Sequence, residues 1–295
     1  MKAVHTITLV IVSDDHYAIL AAALLKSIEV NLHPDWHLDA WIVSDDISEQ
    51  GRQKLQASIN NDVTTINWQN ARDIIPAGIF LPKDLSSYPL NIYLRLFIPH
   101  FIPASVEKVL YLDADMIAVA DISPLWKTDI SRHTVAAVTD QRLKTFDNHW
   151  GGIKNYRQLG FEATSPYFNT GLLLINTRRW REQNTTERII DIINKHKRFA
   201  NYPDQYGMNI ALHNDWLPLD ARWNHMVTEP CADPFILHFV ERKPIYTTYK
   251  NGIDKLEIFN RYLNLTAWRG THPVREGTRY LKKINNILGK FRNRQ

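Results

Sequence analysis

The segment Lys108–Val119 (KVLYLDADMIAV) drives two carboxylates, Asp113 and Asp115, out of an otherwise apolar run. Such a density of Val, Leu, Tyr and Ile reads as a buried strand, where a charge is costly unless it meets a cation or another partner. Asp113 and Asp115 share parity, so on a regular strand both face one side, and a turn between them also lets both reach one ion. Carboxylate oxygen suits hard divalent cations such as Mg²⁺ and Mn²⁺, whose coordination shell substrate phosphate usually completes. The pattern points to a nucleotide-phosphate site. Acid pairs spaced by one residue are also common as solvated turn residues or helix caps, so the surrounding elements decide between the two readings.

Those elements alternate. Ile7–Val12 reads as a central strand ending at the acidic Ser13-Asp14-Asp15-His16, and Tyr17–Val30 carries apolar residues at helical spacing. Leu38–Val43 is a second strand, Arg52–Ile59 a helix and Val63–Trp68 a third strand. This order predicts a mostly parallel α/β sheet flanked by helices, with ligands bound beyond the carboxyl ends of the strands. Asp14, Asp15, Asp113 and Asp115 would all stand at such ends. Asn91–Phe101 reads as a helix closed by Pro99 that sets Arg95 among apolar residues, where a buried guanidinium needs an anion. Val135–Val138 is a strand ending at Asp140, and the region from there through Ala163 lacks a clear period and reads as a loop or lid beside the site. Leu172–Ile175 is a strand, with a helix starting at Asn176 and running through Ile193; Pro234–Phe239 is a late strand carrying His238.

With 295 residues, no internal repeat and no low-complexity linker, one large domain spanning residues 1–277 is the simpler expectation. A single cysteine, Cys231, excludes an internal disulfide and a multi-thiolate zinc site. The apolar run near the start is too short and too polar for a signal peptide, and no stretch reaches the ~20 apolar residues that span a bilayer, so the chain is expected to remain in the cytosol. From Thr278 onward there are six basic residues and no acid, and removing those six from the net +4 leaves the rest of the chain at −2. Tyr280, Leu281, Ile284, Ile287, Leu288 and Phe291 fall on one helical face of this 278–295 tail. A basic amphipathic helix of this kind lies on an anionic membrane or docks on the body with its cations in water. No nucleic-acid partner is expected.

Four motifs in order, VLYLDADMIAV, YFNTGLLLIN, PDQYGMN and ILHF, resemble glycosyltransferase family 8, the retaining hexosyltransferases of GT-A fold that include bacterial lipopolysaccharide galactosyl- and glucosyltransferases and glycogenin. The likeness runs from about Ile7 to Lys243. It implies a UDP-sugar donor and Mn²⁺, with Mg²⁺ as the alternative, held by Asp113, Asp115 and His238, with Ala114 between the two acids of the DxD motif. Asp14, Asp15, His16 and Tyr17 match the family's uracil and ribose site. Arg95 matches an arginine near the donor sugar and phosphate, and Asp140, Asn169 and Asp204 match polar residues around the donor hexose. Gln205 matches the residue on the sugar face opposite UDP; a neutral amide is a poor nucleophile, which favours a front-face reaction over a covalent one with Asp204 as nucleophile. The loop after His238 departs from the family pattern: it is about one residue short, Glu241 stands at a flexible position, and Lys243 or Arg242 is left to meet the β-phosphate.

The resulting expectation is a UDP-hexose-dependent transferase of the EC 2.4.1 type moving galactose or glucose to a glycan or glycolipid, on the cytoplasmic face of the cell membrane if the tail binds lipid. The competing readings are a metal-dependent nucleotide-sugar hydrolase or nucleotidyltransferase, and a self-glycosylating protein of glycogenin type.

Overall fold

The computed structural model describes residues 5–82 and 88–292. In chain order these form β1 (His5–Asp14), α1 (Ala18–Asn31), β2 (Trp36–Asp45), α2 (Glu49–Ser58), β3 (Thr64–Asn70), a 3-10 helix (Leu90–Phe97), α3 (Ile98–Phe101), β4 (Lys108–Leu112), β5 (Met116–Ala118), α4 (Ser123–Trp126), β6 (Val135–Thr139) and β7 (Phe168–Asn176). There follow α5 (Thr177–Glu182), α6 (Thr185–Lys195), α7 (Pro203–Ala211), β8 (Trp216–Pro218), β9 (His225–Met226), β10 (Ile236–His238), α8 (Ile253–Leu263) and α9 (Glu276–Arg292).

A seven-stranded sheet of order β3-β2-β1-β4-β7-β6-β8 forms the frame, with β7 alone antiparallel to its neighbours. Alternate residues of its central strands feed two cores. Ile7, Leu9 and Ile11 of β1, with Leu110 and Leu112 of β4, pack on α1, while Val10, Val109 and Tyr111 face the opposite layer with Phe97, Trp180 and Ile189. Burial on both faces is what the near-continuous apolar runs of these strands require. Parallel pairing of β1 with β2 and with β4 brings Asp14, Asp45 and the residues after Leu112 to one edge.

The Lys108–Val119 run is two strands. β4 ends at Leu112, residues 113–115 turn, and β5 leaves the main sheet to pair antiparallel with β10 in a three-stranded sheet, Met116 opposite His238. The carboxylates thus occupy the turn between two sheets. Across the sheet, the partner of β6 jumps from Leu173 opposite Ala137 to Asn169 opposite Val138, an irregularity that leaves Thr170, Gly171 and Leu172 out of the β6–β7 ladder.

Other expectations shift for local reasons. Pro99 does not close the helix around Arg95; it lies in the first turn of α3, where its missing N–H costs nothing, and Arg95 belongs to the preceding 3-10 turn. The helix expected from Asn176 to Ile193 breaks at Asn184, whose φ of 49° is a left-handed conformation that asparagine tolerates. Asn176 itself caps α5 by accepting from the Arg179 N–H at 3.1 Å. The segment from Gln141 to Pro166 is irregular, as expected, yet it is packed around its own apolar cluster of Leu143, Phe146 and Ile153 against Tyr167 and Tyr206. Arg294, counted in the basic tail, lies outside the described residues, as do the side chains of Arg279, Ile287, Lys290, Phe291 and Arg292.

The break at Asn184 has a use. It places buried Thr186 so that its hydroxyl donates to the Leu96 carbonyl at 2.7 Å and accepts from the Trp180 indole N–H at 2.9 Å, fixing the 3-10 turn that carries Arg95. Thr186→Val removes both partners from buried groups and is expected to lower stability by about 2 kcal/mol or more, measured as a shift of the urea unfolding midpoint at unchanged slope.

Candidate active site

The turn after β4, the displaced start of β7, the first turn of α7 and the end of β10 converge at the sheet edge. Ligand atoms of Asp113, Asp115 and His238 lie within 4.8 Å of one another. His238 Nε2 is 3.4 Å from Asp115 Oδ1 and 4.0 Å from Asp113 Oδ2. Asn224 fixes the ring. Its Nδ2 donates to Asn169 Oδ1 at 2.9 Å, so its Oδ1 faces His238 Nδ1 at 2.8 Å and accepts that proton. With Nδ1 engaged by Asn224, Nε2 is the ring atom left to face the two carboxylates, so that one imidazole nitrogen and two carboxyl groups converge on one point, the arrangement a shared divalent cation uses. Two oxygens and one imidazole nitrogen fit such an ion.

Gly171 makes the close approach possible. A Cβ there would lie 2.6 Å from His238 Cε1 and 3.0 Å from Asp113 Oδ2, so any side chain displaces the cluster. Its backbone also holds the turn, because the Asp113 N–H donates to the Gly171 carbonyl at 2.8 Å.

Arg95 lies behind the cluster, only 8 % exposed. Its guanidinium reaches Asp113 Oδ1 at 2.9 Å and Asp204 Oδ2 at 3.5 Å, donates to the Thr170 carbonyl at 2.8 Å, and stacks 4.8 Å over the Tyr111 ring. Tyr111 in turn donates its hydroxyl to Asp113 Oδ1 at 2.5 Å. Burial alone would lower the Arg95 pKa, but Asp113, Tyr111 and Asp204 outweigh it and hold the group above its ordinary value. Burial raises the Asp204 carboxyl, with Arg95 opposing the shift. Asp115 goes the other way: burial would raise it, but the paired Lys243 ammonium and His238 hold it below the ordinary carboxylate range.

Asp140, Asn169 and Gln205 form one hydrogen-bonded network. Asp140 Oδ2 accepts from Asn169 Nδ2 at 3.0 Å and Gln205 Nε2 at 3.2 Å, and Gln205 Oε1 accepts from the Thr170 N–H at 3.2 Å. Asp140 Oδ1 takes the backbone N–H groups of Arg142 and Leu143, both at 2.9 Å. All three therefore present fixed rather than rotating polar atoms.

The cleft has two adjoining lobes of ≈ 310 and ≈ 320 Å³ that share Asp113, Asp115, Asn169, Gln205 and Lys243. Asp14, Tyr17, Arg95, Ala114 and Asp204 line the first; Asp140, His238 and Glu241 line the second. A larger cavity of ≈ 500 Å³ beside Cys231 and α8 holds none of these groups, and lacks their convergence of polar atoms. Of the expected residues, Asp15 and His16 are not in the lining: Asp15 Oδ1 accepts from the Ser48 N–H at 2.9 Å and hydroxyl at 2.6 Å, and His16 Nε2 meets the Tyr246 hydroxyl at 2.8 Å. Arg242 pairs with Glu276, away from Lys243, which faces the cleft. Glu241 adopts a left-handed φ of 62°, the conformation a glycine would take without strain, and its carboxylate bridges to Arg142 at 2.7 Å, tying the short loop to the irregular 141–166 segment. Tyr111, Thr170, Gly171 and Asn224 escaped the sequence reading; only Gly171, beside Asn169 in a polar break before an apolar strand, carried a signal.

Residues 8–243 match the family model described as Glycosyl transferase family 8. General stress protein A of Bacillus subtilis is 28 % identical over 286 residues, 87 % of this chain and 92 % of its own length. Glycosyltransferase GlyA of Streptococcus pneumoniae is 31 % identical over 175 residues, 55 % of this chain and 23 % of its own length. The solved galactosyltransferase LgtC, in complex with donor and acceptor sugar analogues, covers 93 % of this chain and 99 % of its own with a TM-score of 0.74 at 24 % identity, a likeness that shows the GT-A fold.

Because the buried Arg95 pairs with the buried Asp204 and the half-buried Asp113, Arg95→Met is expected to lower stability by about 3–5 kcal/mol, read from chemical unfolding. Adding Asp204→Asn to that variant should recover part of the loss, since one of the stranded charges is then gone.

Proposed function

The chain belongs to glycosyltransferase family 8, and we propose that it is a metal-dependent retaining enzyme that moves galactose or glucose from a UDP-sugar to a hydroxyl of a glycan or glycolipid. The observation that carries this reading is the convergence of Asp113, Asp115 and Nε2 of His238 in a cleft lined by fixed polar groups. A Mn²⁺ ion, for which Mg²⁺ is the alternative, held by these three side chains and the diphosphate would neutralise charge growing on departing UDP. Imidazole in the ligand set counts against Mg²⁺, which takes oxygen ligands and keeps its waters.

The chain's own residues divide the remaining work. Asp14 and Tyr17 take the nucleobase, by hydrogen bond and by stacking. Lys243, once it exchanges Asp115 for phosphate, brings its ammonium to the β-phosphate. Arg95 pairs with Asp113 and Asp204 and holds both in place. Asp140, Asn169 and Gln205 read the hexose hydroxyls through atoms already fixed by their mutual hydrogen bonds. Gln205 is a neutral amide, so the front-face route is preferred: the bond from the anomeric carbon to the UDP oxygen breaks, the acceptor oxygen attacks from the same face, and its proton passes to the departing UDP oxygen. Asp204 is the nucleophile of the covalent alternative, and its ion pair with Arg95 and its burial count against that role.

Residues 1–277 would form the transferase domain and 278–295 an attachment to an anionic membrane. Tyr280, Leu281, Ile284 and Leu288 of α9 are each at least half exposed and lie along one side of the helix. Among the described residues no helix is long and apolar enough to cross a membrane. Peripheral binding at the inner face of the cell membrane suits this helix and a glycolipid acceptor.

UDP release from a panel of UDP-sugars tests the reading. One UDP-hexose should turn over with Mn²⁺, stop with EDTA, and fall by roughly a hundredfold in Asp115→Asn, the equivalent of about 2.7 kcal/mol of charge stabilisation. Turnover that yields only free hexose in the presence of acceptors would identify a hydrolase instead.

A further inference from the structure

We propose that α9 competes with the nucleoside of the donor: Lys282 occupies the contacts on Asp14 and Tyr17 that a nucleobase needs, and the donor binds by displacing it. The proposal rests on the assignment of Asp14 and Tyr17 to the nucleobase.

Asp14 has two carboxylate oxygens and both are engaged. Oδ1 accepts from the Tyr17 N–H at 2.9 Å, which holds the turn into α1. Oδ2 takes the Lys282 ammonium at 2.5 Å. The same ammonium lies 3.9 Å over the centroid of the Tyr17 ring. A base that donates an N–H to Asp14 and stacks on Tyr17 requires an oxygen and a ring face that Lys282 now holds. Surface lysine pairs usually contribute little, but the Lys282 and Asp14 side chains are only 18 % and 20 % exposed, and the ammonium gains the aromatic face as well as the carboxylate.

The helix is delivered to this position by its first turn. Glu276 is held by Arg242 and by the Thr248 hydroxyl at 2.6 Å, both in the segment that follows His238. That segment also carries Lys243, paired with Asp115. Two ammonium groups from one connected region, Lys243 and Lys282, therefore sit on two acids of the same cleft, one at the metal cluster and one at the nucleoside end. Of these, Lys243 can pass from carboxylate to phosphate without leaving the cleft, whereas Lys282 must give up both its partners to the base. A contact that exists only in the free protein subtracts from the apparent affinity for the ligand that breaks it.

The test is calorimetric titration of UDP with Mn²⁺ into the full chain and into Lys282→Ala, with amide hydrogen exchange of α9 followed in the wild type. Tighter UDP binding by Lys282→Ala, roughly three- to tenfold for one ion pair with one cation–π contact, together with faster exchange of α9 when UDP is added, is the expected result. Equal or weaker binding by Lys282→Ala, or α9 amides that slow on UDP addition, would overturn the proposal, the latter two making Lys282 a nucleotide clamp. Tyr17→Ala placed in the Lys282→Ala background separates the two assignments. It should weaken UDP binding there. No weakening removes the nucleobase assignment and the competition with it, whereas weakening without any gain from Lys282→Ala overturns the competition alone.

Discussion

The contact on which the site depends is the buried guanidinium of Arg95 between Asp113 and Asp204. A carboxylate at the end of an apolar strand is costly unless a cation stands close. Arg95 supplies that cation from a 3-10 turn, and so the rest of the molecule must place this turn: the Thr186 hydroxyl fixes its Leu96 carbonyl, and Trp180 locks Thr186 from the other side. Thr170 completes the cradle, its carbonyl bound to Arg95 and its N–H to Gln205. A charge network of this kind favours one arrangement over others more than it adds stability, because each member left alone would be an unpaired buried charge.

Sheet topology explains why the cluster forms at this edge. β1 and β4 end there as parallel strands, and antiparallel β7 begins there, so its polar residues Asn169 and Thr170 face the carboxyl ends of its neighbours. Asp113 and Asp115 then sit where β4 hands over to β5, and the pairing of β5 with β10 carries His238 across from a point far along the chain. Neither sheet alone could assemble the three side chains. Gly171 lets the two sheets approach within contact distance, since a Cβ would strike the imidazole.

Much of this was legible in the chain and some was not. Apolar runs located β1 to β4, and the acids that follow the first and fourth of them located the carboxylates, because central strands need burial and the acids interrupt it for a reason. His238 could be singled out only through the ordered motifs, since a histidine in a short apolar strand is by itself unremarkable. The break at Asn184 and the role of Pro99 were hidden because both depend on what the helices pack against rather than on their own spacing. Asn224 has no pattern at all: its function is to orient His238, and the two are brought together by the pairing of β9 with β10. Lys282 reads in sequence as one of many tail cations, and only the docking of α9 gives it a partner in the cleft.

We propose that Asp113, Asp115 and His238, which lie close enough to hold one ion, form a divalent-cation site that shares its ion with a nucleoside diphosphate. Electron paramagnetic resonance of Mn²⁺ titrated into the protein, with and without UDP, tests it most directly. The account predicts that the free-ion signal falls as one Mn²⁺ binds per chain, that UDP strengthens the uptake, and that His238→Ala weakens it by at least about tenfold. A signal that stays that of free Mn²⁺ whether or not UDP is present would contradict it.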